Sequence, residues 1–164
     1  ELEISQVGMT VDNTIKTRFI FEINKGSNKS NQIDVNAFIP HEDRRIPIDQ
    51  MIYIADGPSD VPVFAVVKGM GGKTYAVYNP EDEKEFQQSC ALVERGRVHN
   101  NGPADYSSNS PTAMWIKQKV TEIFRKMINN KEKQLAEKTS VSPKHIPHSN
   151  NQTEDFSIDQ KLLW

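Results

Sequence analysis

The most informative hydrophobic pattern in the chain is Met51-Ile52-Tyr53-Ile54-Ala55, a continuous apolar run that stops abruptly at Asp56-Gly57-Pro58-Ser59-Asp60. A run apolar on both faces predicts a central parallel strand covered by helices on both sides. A second run, Thr74 to Tyr78, is launched by Gly71-Gly72 and stopped by Asn79-Pro80, and predicts another strand. Between them, Val61 to Met70 forms a short helix, with Pro62 in its first turn, where a missing N–H leaves no bond unmade. Strand, helix and strand with short links make a βαβ unit. Parallel pairing and an α/β fold follow.

Upstream, Ile15, Phe19 and Ile23 recur at helical spacing. Asp12, Asn13 and Thr14 are candidate N-caps and Gly26 is a stop, so residues 14–25 are predicted helical. The polar stretch 26–45 is predicted as loop. In it, Val35, Phe38 and Ile39 have the spacing of a single helical turn packed on the core and ended by Pro40. Residues 81–93 are predicted helical, and residues 95–109, rich in Asn, Gly and Ser, are predicted as loop. Ser110-Pro111 has the form of an N-cap followed by proline at the first helical position, opening a long helix to about Lys138. Its stripe of Ile116, Val120, Ile123, Phe124 and Met127 is expected to pack on the core. Residues 1–138 then form the folded unit. Residues 139–164, poor in core-forming side chains, are expected to be a disordered tail.

Composition narrows the function classes. The chain of 164 residues is long enough for one domain. Its formal net charge of −2 gives no electrostatic case for nucleic acid as a partner. Cys90 is the one cysteine, which excludes an intrachain disulfide and a zinc cluster; it reads as a small buried hydrophobe on a helix. A reducing cytoplasm fits. No apolar run approaches the roughly 18 residues of a membrane span, and no signal peptide is visible. The chain starts at Glu1 rather than Met and reads as a piece of a longer protein. His145 and His148 lie three apart in the tail, without the further ligands and rigid scaffold that a metal site needs.

Chemistry concentrates at the end of the first strand. Asp56 follows the apolar run directly, and Asp60 comes four residues later at the start of the next helix. In a doubly wound sheet ligands bind at the carboxyl ends of the strands. Both carboxylates are expected at that edge, close enough to share a cation, and magnesium takes one or two protein carboxylates together with waters and phosphate. Spacing alone leaves a second reading level with this one: Asp56 begins a turn and Asp60 caps a helix.

An apolar strand followed by Asp-Gly-x-x-Asp-hydrophobic-Pro, here residues 51–62, resembles the fourth signature motif of the haloacid dehalogenase (HAD) superfamily. The family's usual Gly before the first Asp is Ala55 here. The surrounding stretches KTRFIFEINKG, RRIPIDQMIYIADGPSDVP and GGKTYAVYNP add to the likeness, which extends from about Ile15 to Val120. The resemblance implies a doubly wound, Rossmann-like parallel sheet with flanking helices and a long C-terminal helix. The family's N-terminal strands are missing from this chain. It also implies Mg²⁺ as cofactor, Asp56 as its ligand and Asp60 as support of the metal shell.

The family further needs a lysine to offset charge on the nucleophile and the phosphoryl group. Lys16 and Lys25 are the candidates. A helix leading into strand 51–55 has only its N-terminus at the active edge. Lys16 lies at that end, whereas Lys25 is about 13 Å further along the axis. Lys16 is therefore preferred, with Lys25 second because its Asn-Lys-Gly setting also resembles the motif. The family's nucleophile, the first Asp of an Asp-x-Asp-x-Thr/Val strand end, has no counterpart: Asp34 and Asp43 stand in polar surroundings. The expectation is the distal part of a Mg²⁺-dependent phosphohydrolase, inactive alone. Its implied partners are the N-terminal part of the core and a phosphorylated small molecule. A non-catalytic interaction module is the alternative.

Overall fold

A computed structural model describes residues 11–139 of the chain. Of the expected disordered tail, Thr139 is described and ends a helix, and the rest, with the His145–His148 pair, lies outside the described residues. The described residues form an α/β fold: a parallel sheet of three strands in the order β1-β2-β3, flanked by helices, with a long C-terminal helix.

Helix α1 (Asn13–Lys25) opens on Asp12, whose carboxylate accepts from the Ile15 N–H at 2.8 Å. It closes on Gly26 at φ 87°, a left-handed position that suits glycine, whose N–H donates to the Glu22 carbonyl. Strand β1 (Ile52–Ala55) ends in the 3₁₀ turn Pro58–Asp60, which runs straight into helix α2 (Val61–Gly69). Strand β2 (Lys73–Tyr78) returns beside β1, with Ile52 opposite Lys73 and Ala55 opposite Ala76. Gly72 permits this return, because a Cβ there would meet the Ile48 carbonyl and Val67 Cγ1, both at 2.6 Å. Helix α3 (Glu83–Glu94), capped by Asp82, leads to strand β3 (Asn100–Pro103), which pairs in parallel with β2. Helix α4 (Pro111–Thr139) opens on Ser110, whose Oγ accepts from the Ala113 N–H. The described residues divide into two units after Met127, part-way along α4.

Alternation along β2 sorts the core into two faces. Ala76 joins Phe64 of α2 and Leu92 of α3, together with Val98. Tyr75, on the opposite pleat, packs its ring against Trp115 of α4 at 4.5 Å between centroids. Ile20, Ile48, Val63 and Val67 form a second cluster that holds α1 to α2.

Four sequence expectations need correction. Residues 95–109 contain a strand, β3, in the segment Asn-Asn-Gly-Pro, which has no apolar pattern to announce it. Residues 35–39 form no helical turn on the core, and Phe38 is exposed. Strand β1 is half-buried rather than covered, because it lies at the sheet edge among the described residues. The α4 stripe is only partly packed: Val120, Phe124 and Met127 are exposed, Phe124 by 58%. Cys90 sits on α3, half-buried, within 3.4 Å of Asn101 Nδ2.

Candidate functional site

The site is built where β1 meets α2. Asp56 is the first residue after β1 and is exposed. Asp60 closes the 3₁₀ turn, with its N–H on the Gly57 carbonyl, and is buried, its side chain 2% accessible. Although Asp60 stands at the N-cap position of α2, its side chain makes no capping hydrogen bond. Both its oxygens are taken up otherwise. Lys16 Nζ approaches them at 2.9 and 3.1 Å, the Tyr53 hydroxyl donates to Oδ1 at 2.5 Å, and Ser59 Oγ donates to Oδ2 at 3.1 Å.

Burial by itself would raise the Asp60 carboxyl, but hydrogen bonds from Tyr53 and Lys16, and the Lys16 charge, outweigh it and hold the group below the ordinary carboxylate range. The same contact acts oppositely on the phenol. Burial, the hydrogen bond to Asp60 and the charges of Asp60 and Asp56 push Tyr53 well above its ordinary value. Asp60 is thus an anion and Tyr53 a neutral donor at any moderate pH.

Helix α1 supplies the lysine. Lys16 is in its first turns, on the side that packs against the 3₁₀ turn and α2, and its side chain keeps 31% exposure. Lys25 stands at the other end of α1 and donates to the Val35 and Ala37 carbonyls at 2.6 and 2.7 Å. The structure therefore brings Lys16 together with Asp60 and ties the Lys25 ammonium to the following loop.

These residues fit Mg²⁺ unequally. Asp56 offers an exposed carboxylate at a strand end, the kind of single ligand that magnesium accepts among its waters. Asp60, expected to share the cation with Asp56, has both oxygens engaged by Lys16, Tyr53 and Ser59 and does not suit direct ligation. Among the described residues no group of three or more His, Cys, Asp or Glu side chains is arranged to hold a metal.

Sequence reasoning missed Tyr53 and Ser59. Tyr53 reads as one more apolar residue of its strand, and its ring does pack edge-on to Phe64 at 5.4 Å. The available signal was the phenol itself: a tyrosine whose ring packs into the core needs a partner for its hydroxyl, and Asp60 stands in the turn that follows the strand.

No known family profile matches the chain, and no solved structure does. An uncharacterized protein of Borreliella burgdorferi (strain ATCC 35210 / DSM 4680 / CIP 102532 / B31) is 37% identical over 120 residues, covering 71% of this chain and 39% of that protein. The chain thus spans well under half the length of this relative. A match covering 71% of 164 residues includes the middle of the chain wherever it starts, Ile52 to Asp60 among it. No helix among the described residues is long and apolar enough to cross a membrane.

Proposed function

We propose that this chain is the distal part of a Mg²⁺-dependent HAD-type phosphohydrolase, a cytoplasmic enzyme that hydrolyses phosphate monoesters through an aspartyl-phosphate. The nucleophile would come from polypeptide outside these 164 residues. The supporting observation is Lys16 seated on buried Asp60 at the carboxyl end of β1, one short loop from exposed Asp56.

In this reading Asp56 is the chain's ligand for the metal, which when bound would neutralise phosphoryl charge. Lys16 presents a second positive charge to the phosphoryl group. Asp60 acts through Lys16: it fixes the ammonium from one side and leaves the rest of it accessible. Tyr53 and Ser59 in turn fix Asp60. Asp60 thereby becomes a positioning residue, and any support it gives the metal is indirect. None of these groups can replace the nucleophile, because each is committed to holding charge beside the phosphorus rather than attacking it.

The alternative, a non-catalytic module, draws support from the absence of any strand-end Asp-x-Asp in the chain. Assays with p-nitrophenyl phosphate and Mg²⁺ separate the two. The phosphohydrolase reading expects no turnover by this chain. It expects turnover by the full-length Borreliella relative, lost when the residue aligned with Asp56 is changed to Asn. No turnover by either protein favours the module. Turnover by this chain that Asp56→Asn abolishes would mean that a nucleophile is present within it.

A further inference from the structure

We propose that the amino-terminal edge of the sheet is an anion site, at which Lys68, Lys73, His99 and Lys119 take a multiply charged phosphoryl group. It lies at the opposite end of the strands from Asp56 and Asp60, and nothing in it depends on the function proposed above.

The fold brings these side chains together from both faces of the sheet. Helix α4 starts beside the carboxyl end of β3, where Thr112 Oγ1 donates to the Pro103 carbonyl at 2.6 Å. It runs down to Asp49, just ahead of β1, which Lys126 meets at 2.9 Å. On the way Trp115 packs on Tyr75. Lys73 shares that pleat of β2, two residues nearer the amino end. Lys119 comes one helical turn after Trp115, so both lysines reach the edge from the same face. From the other face, Lys68 in the last turn of α2 donates to the Gly96 and Val98 carbonyls at 2.7 and 3.3 Å, in the turn that leads to His99. His99 is held against β2: its backbone N–H donates to the Thr74 carbonyl at 3.1 Å, and its Nδ1 accepts from the Thr74 N–H at 3.1 Å. The neutral ring therefore carries its proton on Nε2, a donor on an exposed residue.

The arrangement is electrostatically one-sided. Lysines ordinarily keep their ammonium groups in water, whereas Lys68, Lys73 and Lys119 are all half-buried. Lys119 has a carboxylate in contact, Glu122 at 2.8 Å; among the described residues Lys68 and Lys73 have none. Burial, and then the charges of Lys68, Lys73 and Lys119, hold His99 below its ordinary value, so all three ammonium groups act on one ring. Lys73 also acts on Glu122. Like charges gathered in this way repel one another, and groups that perturb each other so are more typical of a binding site than of plain surface. The donors are also fixed in advance: Lys68 by two carbonyls, His99 by Thr74, and Lys119 over the Trp115 ring, 5.9 Å from its centroid. Glu122 offsets one of the three ammonium charges and leaves two to be met. A phosphoryl group carries about that charge at neutral pH and has several acceptor oxygens for donors arriving from both faces of the sheet. A carboxylate, planar and singly charged, would leave one ammonium unmet.

Nuclear resonance titration of the 164-residue chain with inorganic pyrophosphate, without divalent cations, tests this. Any salt screens the lysines and by itself raises the His99 pKa, so each point is compared with sodium chloride of equal ionic strength. At saturation His99 should titrate about one pH unit higher in pyrophosphate than in chloride, and the Lys73 and His99 amides should shift. Lys73→Met and Lys119→Met should each weaken binding at least about fivefold, while Lys117→Met, on the opposite side of α4, should not. The response should survive Asp56→Asn, so it stands or falls apart from the phosphohydrolase reading. Glycerol phosphate in place of pyrophosphate separates the sources: equal affinity assigns the phosphate end of a phosphorylated small molecule, and much weaker affinity assigns a free polyphosphate. Equal behaviour in pyrophosphate and chloride overturns the proposal. So does pyrophosphate that shifts the Lys16 and Asp60 amides and not those of Lys73 and His99, and so does undiminished affinity in both lysine variants.

Discussion

Replacing Lys16 with methionine tests the organisation of the site through stability alone. The change keeps most of the aliphatic stem and removes the ammonium that lies 2.9 Å from Asp60 Oδ1. Removing one partner of a fully buried pair costs about 3–5 kcal/mol, because the other charge is left uncompensated, whereas exposed pairs contribute about 0–1 kcal/mol. This pair is mixed: Asp60 is buried, Lys16 is nearly one-third exposed, and Tyr53 and Ser59 still donate to the carboxylate after the change. The expected loss is therefore about 2 kcal/mol at pH 7, intermediate between those limits. Asp60→Asn should cost less, since Lys16 can turn to water, and the double variant should cost less than the sum of the two.

The pH dependence has a definite sign. The folded-state pKa of Asp60 is depressed, so its contribution is present above the ordinary carboxylate range and is lost as pH falls through the folded value. The advantage of wild type over Lys16→Met should accordingly shrink below about pH 4. Urea denaturation of the four proteins at pH 7 and pH 3.5 reads all of this. A Lys16→Met loss under about 0.5 kcal/mol at pH 7, or one that does not change with pH, would refute the coupling.

Three further outcomes follow from the fold. Phe64→Ala, at a fully buried position on α2 packed against Tyr53, Ala76 and Leu92, should destabilise by about 3–5 kcal/mol in urea melts. Gly72→Ala should cost at least about 1–3 kcal/mol, because the new methyl meets the Ile48 carbonyl, which is backbone and cannot swing away. Burial and the nearby Lys68, Lys73 and Lys119 depress His99, whose Nδ1 accepts from the Thr74 N–H at 3.1 Å. A histidine that is harder to protonate when folded loses its stabilising contribution as pH falls below about 6.5. Thermal melts between pH 7 and pH 5 should show a decline that is smaller in His99→Asn.

The βαβ unit was legible because its signals are local. The run from Met51 to Ala55 shows an abrupt apolar-to-acidic transition, Pro62 sits where helices accept it, and Gly71-Gly72 marks the return. That Lys16, and not Lys25, stands at the end of α1 beside the Asp60 turn followed from the polarity of one helix. What escaped was set by tertiary contacts. Strand β3 has four residues with no apolar side chain but proline. It is a strand because the Tyr75 hydroxyl and Thr112 fill the space where Gly102 would carry a side chain, and because β2 offers an open ladder beside it. Tyr53 hid its hydroxyl inside an apolar word. Val35, Phe38 and Ile39 have helical spacing, but Asp34 and Asn36 draw their stretch into a side-chain-bonded turn instead. The α4 stripe has a sound period, yet period alone cannot tell what surface is present to receive it.

The central claim, that Asp56 marks a divalent-cation site beside Lys16 and Asp60, is tested most directly by titrating the chain with Mn²⁺, a paramagnetic cation with the same preference for oxygen ligands. Nuclear resonance spectra should show broadening centred on Asp56 and Gly57, relieved by excess Mg²⁺ and absent from Asp56→Asn. No broadening at millimolar Mn²⁺, or broadening there that persists in Asp56→Asn, would contradict the account.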